Sequence, residues 1–130
     1  MSHLKTKSGR NIVIDDVFKA LSDATRRSLL ETLGKREFFC SVDGQTVDGI
    51  CVQDLSSLLQ VPQSTISRHL TILRQAGLVD HQQKGVWHYY FCNHDTIHLV
   101  ELWLKTLRES SEKETTMEGD KEGRIEGERL

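Results

Sequence analysis

Apolar residues recur along this chain in several short periods, each closed by a polar or glycine break. Val17, Phe18 and Leu21 give one apolar face after the acidic pair Asp15-Asp16, which suits a helix start. Ser22-Asp23 is a second cap signal. It predicts a helix from Ala24 to Leu33 with Leu29, Leu30 and Leu33 inward, ended by Gly34. Lys35 to Gly49 is polar around Phe38-Phe39-Cys40 and reads as an extended loop or a hairpin turning at Asp43-Gly44. Ile50-Cys51-Val52 suits a short strand before a helix from Gln53 to Leu59. Val61-Pro62 then makes a turn into a second helix from Gln63 to about Ala76, stopped by Gly77. In Leu78 to Cys92 the residues Trp87, Tyr89 and Phe91 alternate with His88, Tyr90 and Cys92, a strand period, with Lys84-Gly85 at a hairpin tip. Asn93 or Asp95 caps a last helix to about Leu107. Its apolar stripe of Ile97, Val100, Leu104 and Leu107 is widened by Leu99 and Trp103.

The predicted order is helix, helix, short strand, helix, helix, hairpin, helix. The fold class is therefore mainly α with a small β-hairpin, a winged helix-turn-helix. Three segments follow: a flexible N-terminal arm over residues 1–12, a domain over 13–108, and an acidic disordered tail over 109–130. The last helix is apolar over so much of its circumference that it needs two partners, its own core and another subunit.

The second helix of the central pair has two chemistries. Ile66, Leu70 and Leu73 face a core, while Gln63, Ser64, Thr65, Ser67 and Arg68 cluster at its N-terminal end. Short hydrogen-bonding side chains and one Arg at a helix start suit base edges and phosphates in a DNA major groove. Arg68 can take guanine bidentately or clamp a phosphate. Gln63 and Ser64 can also offer backbone N–H groups. His69 reads equally as a DNA contact or as packing between helices, and Lys84 as a phosphate contact or a solvated turn residue.

Charge modifies this picture. The formal net charge is −2, but residues 1–108 carry 13 Lys+Arg against 11 Asp+Glu, and residues 109–130 carry 4 against 8. The acidity sits in the tail. The body lacks a dense basic stripe, so DNA binding must rest on a few placed contacts and on dimerisation. Nothing in the chain is apolar for long enough to span a membrane, and no signal core follows the first residues. Three Cys fit free thiols in a reducing cytoplasm. A thiol-based enzyme finds no support, because there is no Cys-x-x-Cys, nucleotide loop or Ser/His/Asp arrangement.

From Val17 to Leu107, about 90 of the 130 residues, the chain resembles the ArsR/SmtB family of bacterial metal- and redox-responsive transcriptional repressors. The residues that carry the resemblance are VFKALSDATRRSLLETL, ICVQDLSSLLQVPQSTISRHLTILRQAGLV and KGVWHYYF. It implies a homodimer joined through the first and last helices. It also implies a recognition helix at Gln63 to Ala76 in the major groove, a wing near Lys84 at the minor groove or its phosphates, and release of DNA on ligand binding. The implied DNA partner is an imperfect palindrome with half-sites about one helical turn apart.

The family's effector sites carry over only in part. Cys51-Val52-Gln53 keeps the first Cys of the Cys-x-Cys pair of its arsenic and cadmium sensors. Ser56 stands where some arsenic sensors have a third Cys. His94, Asp95 and His98 supply one end of the family's zinc site. The short strand of a winged domain pairs with the outgoing wing strand, which is expected to bring Cys51 towards Cys92, with Cys40 on a loop above them. Three thiolates would suit arsenite, antimonite or another soft metal ion. Two would suffice for a disulfide or persulfide switch. The competing expectation is that the cysteines are structural and that the repressor is constitutive or protein-regulated. His88 is expected to be exposed, and Trp87, Tyr89 and Phe91 are expected to pack the wing rather than stack on bases.

Overall fold

The computed structural model describes the backbone of residues 3–5, 11–35, 39–42 and 45–118, and the side chains of residues 5, 11–35 and 49–110. The first segment departs from the expected loose arm. Strand β1 (His3–Lys5) pairs antiparallel with β2 (Asn11–Val13), with Leu4 opposite Ile12, and Ile12 is buried. Burial of the Ile12 side chain favours this placement of β2.

Helix α1 (Ile14–Leu21) follows with Asp15 and Asp16 in its first turn. It buries Ile14, Val17 and Ala20, spaced three apart, and leaves Phe18 38% exposed. The inward face is therefore rotated from the expected Val17-Phe18-Leu21. Helix α2 (Ala24–Leu33) starts where Asp23 accepts the Arg26 backbone N–H at 3.0 Å. Its Leu29 is fully buried, and Leu30 and Leu33 are half-buried.

Strands β3 (Phe39–Val42) and β4 (Gln45–Asp48) form the hairpin expected after α2. Val42 lies opposite Gln45, and the turn at Asp43-Gly44 lies outside the described residues. Strand β5 (Ile50–Cys51) then leads into α3 (Val52–Leu59). Gln60 ends α3 in the left-handed region at φ 57°. The Ser56 hydroxyl donates to Val61 O at 2.6 Å, and Val61 N donates back to Ser56 O at 3.3 Å. This double tie fixes the turn between α3 and α4 (Gln63–Gln75).

Helix α4 stops in a Schellman motif at Gly77, whose φ is 84°. Gly77 N donates to Arg74 O at 2.9 Å, and Leu78 N to Leu73 O at 3.0 Å. The buried Leu78 turns the chain into the wing, β6 (Val79–Lys84) and β7 (Trp87–Cys92). The sheet is antiparallel in the order β5-β7-β6. Val17, Leu29, Leu55, Ile66, Leu70, Leu73, Leu78 and Val79 are buried together as the core. Each contributes about 1.5–3 kcal/mol by leaving water.

Helix α5 (His94–Glu118) opens with the Asn93 side chain accepting the Asp95 backbone N–H at 3.2 Å. It runs past the expected end near Leu107, so the first part of the expected disordered tail is helical. Glu, Lys and Ser tolerate a helix, and Lys105 reaches Glu109 at 3.7 Å one turn on. Residues 119–130 lie outside the described residues. The chain forms two compact units, Met1–Ile97 and His98–Leu130.

Candidate nucleic-acid interface

Helix α4 separates its two chemistries by periodicity. Ile66, Leu70 and Leu73 are buried, and Gln63, Ser64, Ser67, Arg68 and Thr71 are exposed. Thr65 is half-buried at the edge of this face. Pro62 caps the helix without a side-chain hydrogen bond, which leaves the first-turn N–H groups beside the exposed Gln63 and Ser64. Thr71 was not singled out from the sequence. It lies four residues after Ser67, whose carbonyl accepts its hydroxyl at 3.0 Å, and it extends the polar face by one turn.

His69 does not belong to that face. Its side chain is 12% exposed, and its Nδ1 lies 3.2 Å from Arg26 Nη1 and 4.0 Å from Asp23 Oδ2. Of its two expected roles, the structure gives it the packing role between helices. Arg26 also donates from Nε to Ala20 O at 2.6 Å and from Nη2 to Lys19 O at 3.3 Å. The hydrogen bond from the Arg26 backbone N–H holds the Asp23 carboxyl below its usual range, and the nearby Arg26 charge adds to this. Sequence reasoning assigned Asp23 only a capping role and missed Arg26. The signal available was the DATRR run directly after the first helix.

The wing presents Lys84 exposed at its tip, opposite Trp87 in register. Gly85 turns the hairpin at φ 62°, and its carbonyl accepts the Gln83 side-chain amide at 3.0 Å. Beyond it Val86 is 84% exposed and Trp87 48% exposed. Trp87 therefore does not pack the wing as expected. Tyr89 is buried and Phe91 half-buried, because they lie nearer the base of the hairpin. On the other face of the wing His81 stacks on Tyr90 at 5.5 Å and meets the exposed His88 at 5.0 Å between ring centroids. Burial lowers the His81 pKa, and the Arg74 and His88 charges lower it further, against a smaller opposing effect of Asp80.

The expected convergence of cysteines is corrected by the strand register. Cys51 lies opposite Tyr89, whereas Cys92 lies opposite Val79, three residues farther along β7. That offset is about 10 Å along the strand and reverses the face. It exceeds the Cα separation of a disulfide. Both thiols are free and buried. Cys92 Sγ–H donates to Leu30 O at 3.5 Å, and burial pushes its pKa up to about 11. Cys40 lies opposite Val47 on β3, and its side chain lies outside the described residues.

Among the described residues, no group of three or more His, Cys, Asp or Glu side chains could hold a metal ion. His94 is exposed, Asp95 is half-buried behind the Asn93 cap, and His98 lies 3.7 Å from Glu101 on the same helix. Among the described residues, no helix is long and apolar enough to cross a membrane.

This architecture has close likenesses. A family profile described as bacterial regulatory protein, arsR family, matches residues 50–81, which run from β5 to the third residue of β6. The arsenical resistance operon repressor of Bacillus subtilis (strain 168) is 36% identical over 93 residues, spanning 72% of this chain and 78% of that protein. The solved structure of an ArsR-like transcriptional regulator from Rhodococcus sp. RHA1 superimposes with a TM-score of 0.63 at 25% identity, over 78% of this chain and 82% of that one. The homodimeric winged helix-turn-helix DNA-binding domain Mb0332 from Mycobacterium bovis shares the fold with a TM-score of 0.54 at 23% identity, over 77% and 82%.

Proposed function

The chain belongs to the ArsR family of DNA-binding transcriptional regulators, and from that premise we propose that it is a homodimeric repressor of an imperfect palindromic operator, not an enzyme. The observation that carries this reading is the split of α4. One side is anchored in the core by Ile66, Leu70 and Leu73, and the other presents Gln63, Ser64, Ser67 and Arg68 to solvent. A rigid helix with short polar side chains and one guanidinium at its exposed start fits a major groove. Lys84 and the tip of the wing reach the neighbouring backbone or minor groove. Two copies supply the affinity that the sparse positive charge of one copy lacks.

Operator binding tests the reading. DNA selected from the protein's own upstream region is titrated by fluorescence anisotropy. Arg68→Ala is expected to weaken specific binding by about 1–3 kcal/mol and to relax discrimination at one base pair. Equal binding of the parent protein to selected and scrambled DNA would refute it.

Two readings of the signal follow. In the first, a thiol-reactive species such as arsenite, antimonite, another soft metal ion, an oxidant or a persulfide acts at the cysteines and releases the DNA. The kinship with an arsenical resistance operon repressor supports it. In the second, the cysteines are structural and the repressor is constitutive or controlled by another protein. The separation of Cys51 from Cys92 and the protonated, buried Cys92 thiol favour this second reading. Adding arsenite, cadmium, zinc or polysulfide to the operator complex separates the two. Release that survives in the triple variant Cys40→Ser/Cys51→Ser/Cys92→Ser would place the effector elsewhere.

A further inference from the structure

The last carbonyls of a helix have no partner within it. At the end of α1 they are taken by the first turn of α2. Arg27 Nη1 donates to Leu21 O at 2.8 Å, and Arg26 donates to Ala20 O at 2.6 Å and Lys19 O at 3.3 Å. Arg26 also reaches on to α4, with Nη1 at 3.2 Å from His69 Nδ1. Its own backbone N–H is held by Asp23 at 3.0 Å. Three helices thus meet at one guanidinium. A guanidinium has only donors, so in this contact Nδ1 of His69 takes the accepting side. His69 is the residue next to Arg68, but its ring faces inward and is 12% exposed.

We infer that Arg26 is a positioning residue for DNA binding: it ties the C-terminal end of α1 to His69 and so sets the pose from which α4 presents Arg68. Arg26 does not need to touch DNA to do this, since Nε, Nη1 and Nη2 are each engaged within the fold. The role depends on the planar fork, which can serve two carbonyls and an imidazole together. A lysine ammonium is a point charge on a flexible stem and cannot hold all three in place. The inference rests on the reading of α4 as the DNA-contacting helix.

The test compares operator affinity and its salt dependence for Arg26→Lys, His69→Asn, His69→Leu and the double variant Arg26→Lys/His69→Leu. Measurements are made where circular dichroism shows each variant fully folded. Arg26→Lys keeps the positive charge and is expected to bind about ten-fold more weakly, with an unchanged salt slope. His69→Asn keeps an acceptor near the place of Nδ1 and should bind like the parent. His69→Leu should lose as much as Arg26→Lys, and the double variant no more than either. Unchanged affinity in Arg26→Lys and His69→Leu, or losses that add, would overturn the inference. So would a salt slope lowered by about one in Arg26→Gln, which removes the charge, because Arg26 would then contact phosphate directly. Should Arg26→Lys fail to fold, the contrast between His69→Asn and His69→Leu decides. Arg68→Ala runs alongside. If it binds like the parent, the reading of α4 falls and this inference with it. If it alone weakens binding, only this inference falls.

Discussion

Gly49 is the residue on which the hairpin after α2 depends for its join to the sheet. Its φ of +114° is unfavourable for any L side chain, and an added Cβ would meet Tyr90 O at 2.6 Å. The obstacle is backbone of the central strand, so no side-chain movement relieves it. Gly49→Ala is expected to cost about 2–4 kcal/mol, read as a lower midpoint in urea at unchanged slope. His81 gives a second prediction at this scale. Its folded pKa is lowered from 6.5, chiefly by burial and then by Arg74 and His88, so the unfolded chain binds the proton more readily. Stability is therefore complete above the ordinary histidine range and is lost as pH falls through it towards the lowered value. Between about pH 7.5 and pH 5.5 the melting temperature of the parent should fall more than that of His81→Gln. Equal falls would mean that another group governs the acid response. Residue roles were legible in the sequence where periodicity alone decides them, as for Ile66, Leu70 and Leu73. They were not legible where a register decides them. Cys51 and Cys92 needed the offset of two strands to be separated, and His69 needed the position of a guanidinium from another helix.

At the scale of elements, most boundaries followed from local chemistry. Asp23 as a cap, Gly77 as a helix stop and the alternation of Trp87 to Cys92 each act within a few residues and need no tertiary knowledge. The run from His3 to Val13 misled because a three-residue strand has almost no period to detect. The wing misled differently. Alternation correctly gave the strand but not its depth, so Trp87 was assigned to a core that ends at Tyr89. That exposure has a consequence for the wing. Val86 and Trp87 are exposed beside Lys84, an arrangement that would suit apolar contact with sugars next to a phosphate taken by Lys84. Trp87→Ala is expected to weaken operator binding several-fold without altering its salt slope, whereas Lys84→Ala should lower the slope by about one. With Trp103 replaced by Phe, the emission of Trp87 should change when operator is added. Emission unchanged at saturating DNA would remove the wing tip from the interface.

At the scale of the whole molecule, the sparse charge and the exposed apolar surface answer each other. Leu102, Leu104 and Leu107 of α5 are each exposed by more than a third of their surface, as is Phe18 on α1. Such side chains in a helix that also carries Lys105, Arg108 and Glu109 form a surface suited to a second copy of the chain. A helix with only Arg68 at the exposed start of its polar face would make few phosphate contacts, and its affinity alone would be modest. Joining two of them makes the second contact intramolecular and raises affinity by about a hundred-fold or more when the half-sites match the spacing. A charge placed in the apolar stripe should therefore act on DNA binding from a distance. Leu104→Glu is expected to leave circular dichroism unchanged, to shift the sedimenting species from dimer to monomer, and to weaken operator binding by about two orders of magnitude. Binding to an isolated half-site should be unaffected by the same substitution, because α4 and the wing are untouched. A variant that stays dimeric, or a monomer that binds the full operator as tightly as the parent, would show that another surface joins the copies or that one copy suffices.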